Sequence, residues 1–173
     1  MEPEYISLAV VHALCISVRT SYEVLKDRGR VNSKNPALFG TVFAAMIVLW
    51  ASWFSLCPMD PAILPLSRAI RYAGFAVFLL GLILAIGALV QLRGLENINH
   101  LVTNGLFAWC RHPMYVGFIA WIIGWSVYHG AVVSFVLGMI TTANILYWRG
   151  LEEKHLGIQF GEAYQEYKRR TWF

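Results

Sequence analysis

Three long stretches of this chain contain no Asp, Glu, Lys or Arg, and they limit its fold more than any other feature: Leu38–Cys57, Tyr72–Leu92 and Met114–Trp148. About 20 apolar residues cross the hydrocarbon core of a bilayer, so each stretch reads as membrane-spanning helix. A fourth apolar segment, Tyr5–Val18, precedes them and can continue as an amphipathic helix through Arg19-Thr20-Ser21-Tyr22-Glu23. Only 14% of the 173 residues are charged, against about 25% in a soluble domain. The start, Met1-Glu2-Pro3-Glu4, is acidic. It lacks the basic n-region of a cleaved signal peptide, so the first segment counts as mature protein.

The run Met114–Trp148 is 35 residues long. As one helix it would reach roughly 52 Å, against a core of about 30 Å. Its natural break is Tyr128-His129-Gly130, which predicts a helical hairpin with arms at 114–128 and 131–148. Pro58, Pro61 and Pro65 end the second segment, since proline cannot continue a helix. In the third segment Gly74, Gly81, Ala85 and Ala88 share one helical face and would allow close helix contact. The expected fold is all-α and polytopic, with five transmembrane helices followed by a charged, helical tail from Arg149 at the interface. Residues 1–90 hold the first three spans, and 91–173 hold the hairpin and the tail.

Lys and Arg set the orientation of such a protein. With the N-terminus outside, 12 of the 14 basic residues fall on the inner side, and only Arg68 and Arg71 fall outside. The C-terminal tail is then cytoplasmic. The net charge of +4 is modest and reports orientation rather than nucleic-acid binding. Cys15, Cys57 and Cys110 are far apart, odd in number and form no CxxC. They read as buried small hydrophobes rather than disulfides or metal ligands.

Polar groups near a membrane core are costly and need a reason. Two clusters on the inner side stand out: Asn99 to Gly117, and Arg149 to Glu153 with Phe160 to Tyr167. The hairpin starts at one and ends at the other, so they can meet. In the first, Pro113 suits the start of a helix, and the free N–H groups of that turn can bind an anion such as a carboxylate. Arg111 and His112 sit just before it. The same residues also suit an interfacial Arg and His that reach headgroups, with Tyr115 in an aromatic belt. In the second cluster, Glu152 and Glu153 are adjacent on a helix and point in different directions. One can face inward, where it would suit an ammonium or ribose hydroxyls. A solvated helix end with Lys154 as partner is the plainer alternative. His12 and His129 read as interfacial or packed residues, and Arg93 as an anchor at the inner surface. Tyr164 and Tyr167 with Lys168-Arg169-Arg170 suit a headgroup-binding helix.

Taken together, these residues resemble the isoprenylcysteine carboxyl methyltransferase family. The resemblance rests on His100-Leu-Val-Thr-Asn-Gly, Arg111-His-Pro-Met-Tyr-Val-Gly117, Glu152-Glu153 and Phe160-Gly-Glu-Ala-Tyr-Gln-Glu-Tyr167. It covers about residues 91–170, and the chain looks like a short, prokaryotic member. The resemblance implies an integral-membrane methyltransferase that uses S-adenosylmethionine without a Rossmann sheet. It implies cofactor contacts from His100, Leu101, Val102, Phe107, His112, Pro113, Met114, Tyr115 and Glu152, and catalytic roles for Arg149, toward the substrate carboxylate, and Glu153. No metal is expected. In this sequence His100 directly abuts Leu101, so that Asn99 takes the place of the family's His. Phe107 stands where the family often has Tyr, and Arg149 lies one position closer to the Glu pair. Gln91 matches a polar cofactor contact only with a shift.

The function implied is methyl transfer to a lipophilic acceptor, first of all the carboxylate of an isoprenylcysteine-like substrate arriving from the bilayer. Leu106, Phe107 and Trp109 would wall the adenine. The membrane would be the plasma membrane in a prokaryote and the endoplasmic reticulum in a eukaryote. Alternatives are a phospholipid amine N-methyltransferase, a sterol-reductase-like NADPH enzyme and a non-enzymatic membrane scaffold.

Overall fold

The computed structural model describes residues 2–32, 35–92 and 100–173. Met1, Arg93 and Asn99, which entered the sequence reading, lie outside the described residues. The described residues form six α-helices: α1 Pro3–Asp27, α2 Pro36–Leu56, α3 Arg68–Leu92, α4 Pro113–His129, α5 Val132–Phe160 and α6 Glu162–Arg170. A single 3-10 turn spans Gly105–Ala108. Among these residues extended pairing is limited to two isolated bridges, Ile63 with Ala131 and Cys110 with Trp172. Four helices, α1, α2, α3 and α5, are long and apolar enough to cross a membrane. The fifth helix of the expected bundle, α4, has 17 residues and would span roughly 25 Å.

Prolines start three of the helices. Pro3, Pro36 and Pro113 sit in the first turn of α1, α2 and α4, where a missing N–H costs nothing. Asn35 caps α2 by accepting from the N–H of Ala37 at 3.0 Å. The break expected at Tyr128-His129-Gly130 is where α4 ends. Gly130 takes a left-handed φ of 71° and sends its N–H back to the Val127 carbonyl, a turn that glycine adopts without a Cβ penalty. One boundary differs from the sequence reading. The second arm was expected to stop at Trp148, with a separate tail after it, but α5 runs on to Phe160. No proline follows Trp148, and Glu153 and Lys154 find partners on neighbouring elements that hold this extension in place.

The small residues expected on one face of α3 are its buried ones: Gly74, Gly81, Ala85 and Ala88. They meet glycines of antiparallel α4. A Cβ built at Gly81 would lie 2.6 Å from the Gly117 carbonyl oxygen, and one at Gly124 would lie 2.6 Å from that of Gly74. Backbone is therefore in contact with backbone, the packing by which helices associate in lipid. The large side chains of α3 point the other way, with Leu80, Ile83 and Val90 exposed.

Polar contacts join α1 to α5, which run parallel. Tyr5 Oη meets Ser134 Oγ at 3.0 Å, His12 Nε2 meets Thr141 Oγ1 at 2.9 Å, and Trp148 Nε1 donates to Thr20 Oγ1 at 2.9 Å. The first two pairs step by seven residues on both helices, which is the repeat that keeps one face toward a neighbour. His12 is therefore a packed histidine, and its Nδ1 also lies 3.2 Å from Ser52 Oγ of α2. At the end where α4 turns into α5, buried Asp60 accepts from the N–H groups of Ala62 at 2.9 Å, Val133 at 3.3 Å and Ser134 at 2.5 Å. It satisfies first-turn donors of α5 that would otherwise be orphaned. The core between the ends is aromatic: Trp50 packs against Phe118 and Trp121 with centroids at 4.9 and 4.5 Å.

Candidate active site

The opposite end of the bundle gathers the ends of α1, α3 and α5, the start of α4, the 100–112 segment and α6. Gln91, at the end of α3, holds this segment. Its amide nitrogen donates to the Asn104 carbonyl at 2.5 Å, and its amide oxygen accepts from Leu106 N–H at 3.1 Å. The other side is held by the last residues of the chain, where Arg111 N–H donates to the Trp172 carbonyl at 3.2 Å and Trp172 N–H to the Trp109 carbonyl at 3.3 Å. Tyr167 Oη donates to the Phe107 carbonyl at 2.6 Å. Burial pushes this phenol up to about 12, so it keeps the proton it donates.

Glu153 is the electrostatic hub. Its Oε1 accepts from Arg111 Nε at 3.2 Å and Arg149 Nη2 at 3.3 Å, and its Oε2 from Lys168 Nζ at 2.8 Å. Arg111 also donates to the Thr171 carbonyl and to that of Lys168 at 3.2 Å. The Arg149 guanidinium lies 4.3 Å from the centre of the Phe173 ring. The adjacent Glu152 points elsewhere. It is 39% exposed, and its Oε2 lies 3.6 Å from His112 Nδ1, too long for a hydrogen bond.

His112 is buried just ahead of α4 and does not cap it with its side chain. Its ring stacks on Tyr115 at 5.6 Å. Burial lowers its pKa below the ordinary value of 6.5, and Arg149 and Arg111 push the same way, against the pull of Glu152 and Glu153. The neutral imidazole has one N–H donor and one acceptor. Its Nε2 is 3.4 Å from Glu153 Oε1 but lacks hydrogen-bond geometry, and it is a buried nitrogen without a partner, as is Arg149 Nε. Buried polar atoms are rarely left so unless something else meets them.

Two cavities open here. The smaller, about 50 Å³, is lined by Leu101, Val102, Phe107, His112, Pro113, Met114, Tyr115 and Glu152 among others. These are all the cofactor contacts named from the sequence except His100, which is exposed. The structure adds Leu92, Arg111, Leu156 and Tyr167 to this wall. The sequence reading has Tyr167 in a tyrosine pair and at the end of a motif, and its use is apparent once α6 folds back. Arg149 and Glu153 line neither cavity, nor do Leu106 and Trp109, the latter 78% exposed. The larger cavity, about 590 Å³, runs between α1, α2, α3, α4 and α5 and shares Leu92, Met114, Tyr115, Glu152 and Leu156 with the smaller one. No group of three or more His, Cys, Asp and Glu among the described residues could hold a metal.

Comparison with known proteins places the chain in a family. The family model for phospholipid methyltransferases matches residues 70–163. The chain belongs to that family. The resemblance to isoprenylcysteine methyltransferases is borne out as well. Over 77 residues the chain is 42% identical to the protein-S-isoprenylcysteine O-methyltransferase of Mus musculus, covering 44% of this chain and 27% of that protein. The Schizosaccharomyces pombe protein of the same name is 36% identical over 78 residues, 44% of this chain and 33% of its own length. The Tribolium castaneum one is 31% identical over 112 residues, 57% and 38%. The chain thus spans about a quarter to two fifths of the length of these curated relatives. No solved structure matches it.

Proposed function

We propose that this chain is an S-adenosylmethionine-dependent methyltransferase that esterifies the carboxylate of a lipophilic, isoprenylcysteine-like acceptor. One observation carries the reading. All but His100 of the residues that the family resemblance assigns to the cofactor line one cleft, and that cleft shares a wall with a large, mostly apolar cavity.

The cleft fits the cofactor in kind. His112 Nε2 is a buried polar atom in want of a partner. The first turn of α4, uncapped by His112, favours a carboxylate, and Glu152 favours an ammonium or ribose hydroxyls. Leu101, Val102, Phe107 and Met114 offer apolar surface to a base, beside Pro113 and Tyr115. His100 would meet the cofactor only from outside this wall. The cleft itself is small, about 50 Å³ against the roughly 300 Å³ of small-molecule pockets, and it adjoins the larger cavity along the shared wall. When bound, S-adenosylmethionine supplies a sulfonium methyl to the carboxylate oxygen, the electrons of the broken C–S bond stay on sulfur, and no proton is lost.

A carboxylate is ionised near neutral pH, so the protein has to align and desolvate it rather than deprotonate it. Glu153 and Arg149 act as positioning residues. Together with Arg111 and Lys168 they fix the geometry that presents His112 and Glu152. Five spans, with the N-terminus outside and the site at the cytoplasmic face, agree with the bias of Lys and Arg toward this end. The acceptor then enters from the bilayer.

The family's name favours one second reading, an N-methyltransferase acting on a phospholipid amine. Incubation of the purified chain with methyl-labelled S-adenosylmethionine and an S-prenyl N-acetylcysteine separates the two. The proposal expects label that mild base releases as methanol. Label that appears only on an amine lipid and resists base would overturn it.

A further inference from the structure

The larger cavity has a charged end that the sequence motifs do not touch. Arg19 and Glu23 of α1 both line it, together with Tyr115 and Glu152 of the shared wall. They form an ion pair, with side chains only 17% and 9% exposed. The Arg19 guanidinium also lies 5.6 Å from the Tyr22 ring centre and 5.5 Å from that of Trp148. A cation on a membrane-spanning helix is expensive, and such residues by default mark a functional site. A single buried pair does not by itself stabilise a fold relative to apolar packing. Two aromatic faces and a carboxylate do hold the guanidinium in one direction, at the wall the two cavities share. Arg149, the candidate that the family resemblance implies, is engaged by Glu153 and Phe173 and lines neither cavity.

We infer that Arg19 is the residue that binds the acceptor's carboxylate, with the acceptor's hydrocarbon chain lying along Phe43, Met46, Trp50 and Phe118 in the larger cavity. The inference rests on the methyltransferase reading for its acceptor class. A guanidinium suits the task because it can meet both oxygens of a carboxylate at once. Glu23 holds the guanidinium in place and shares it when the acceptor arrives. Lys26 lines the same cavity, over the outer side of the Tyr22 ring at 5.7 Å. It is a point charge without the planar fork.

The test compares S-farnesyl-N-acetylcysteine with its carboxamide, which keeps the chain and lacks the charge. Binding of each to the purified full chain is read by calorimetry, and turnover of the acid is read separately. Wild type should prefer the acid at least tenfold. Arg19→Gln should abolish that preference and raise the KM for the acid about tenfold or more, while the S-adenosylmethionine affinity stays within twofold. Arg19→Lys should keep part of the preference, and it decides the matter if the Gln variant does not fold. Glu23→Gln should strengthen the preference, because the guanidinium loses its competitor. A preference for the acid that survives in Arg19→Gln, or is unchanged in Arg19→Lys, overturns the inference. The outcomes also separate the two claims. Methyl ester formation by wild type with the preference intact in the variants sinks Arg19 alone. An acid preference that depends on Arg19, without any methyl transfer, sinks the methyltransferase reading alone. No binding of either compound to wild type sinks both.

Discussion

At the end where α4 turns into α5, one buried carboxylate, Asp60, spends its oxygens on backbone N–H groups. Neither of the two cavities reaches it. At the opposite end Glu153 meets three cations, and the adjacent Glu152 lies near the buried His112 and lines both cavities. His129 is a loose group near the first end, its Nε2 buried without a partner and its ring packed edge-on against Trp125 at 4.5 Å. The contrast separates an acid that serves the backbone from acids that serve side chains and cavities in the same bundle. Asp60 answers a need created by the helix start. Glu153 and Glu152 exceed any need of the backbone, and Glu152 faces open space.

The comparison breaks most visibly at Glu153. Glu153→Ala leaves Arg111, Arg149 and Lys168 without their common partner. Removing one side of a buried ion pair costs about 3 kcal/mol or more, and a shift of the site by an ångström lowers turnover roughly 100-fold. Thermal unfolding and a methyl-transfer assay should record both losses. A variant that keeps wild-type turnover would show that the hub does not position the site. Asp60→Ala should cost less, about 1–3 kcal/mol, for its stranded N–H groups. The S-adenosylmethionine affinity of the folded protein should stay unchanged, and a weakened affinity would mean that the two ends are coupled.

The smallest effect concerns pH. His112 has a lower pKa in the folded chain than the ordinary 6.5, so the unfolded chain takes up its proton first as pH falls. Its contribution to stability is complete above about 6.5 and declines below that value. His112→Asn should therefore flatten the decline in melting temperature between pH 7 and 5 relative to wild type. An identical decline in both proteins would remove His112 from the acid response.

Much of the molecule is legible in its sequence. The uncharged runs mark the long helices, Gly130 marks the turn, and Gly74, Gly81, Ala85 and Ala88 mark the packed face of α3. The 100–115 segment and Glu152 are legible because their spacing is a motif, and the hairpin implies that they meet. The hidden parts depend on pairings between distant segments. Nothing local to Arg19 says that α1 runs parallel to α5, which is what sets this side chain beside Trp148 and the shared wall. The family resemblance assigns Arg149 to the substrate, whereas its direction is decided by Glu153 one turn later and by Phe173. The fold-back of Trp172 onto Trp109 likewise comes from tertiary structure, since two or three residues of extended pairing leave no periodic signal.

The central claim is that the cofactor binds at the Glu152 end. Calorimetric titration of the purified chain with S-adenosylmethionine, repeated with Glu152→Gln, tests it most directly. The expected result is one site per chain in the wild type and an affinity at least tenfold weaker in the variant, with no binding of NADPH to either. Wild type that binds NADPH instead, or a Glu152→Gln variant that binds S-adenosylmethionine as tightly as wild type, would contradict it.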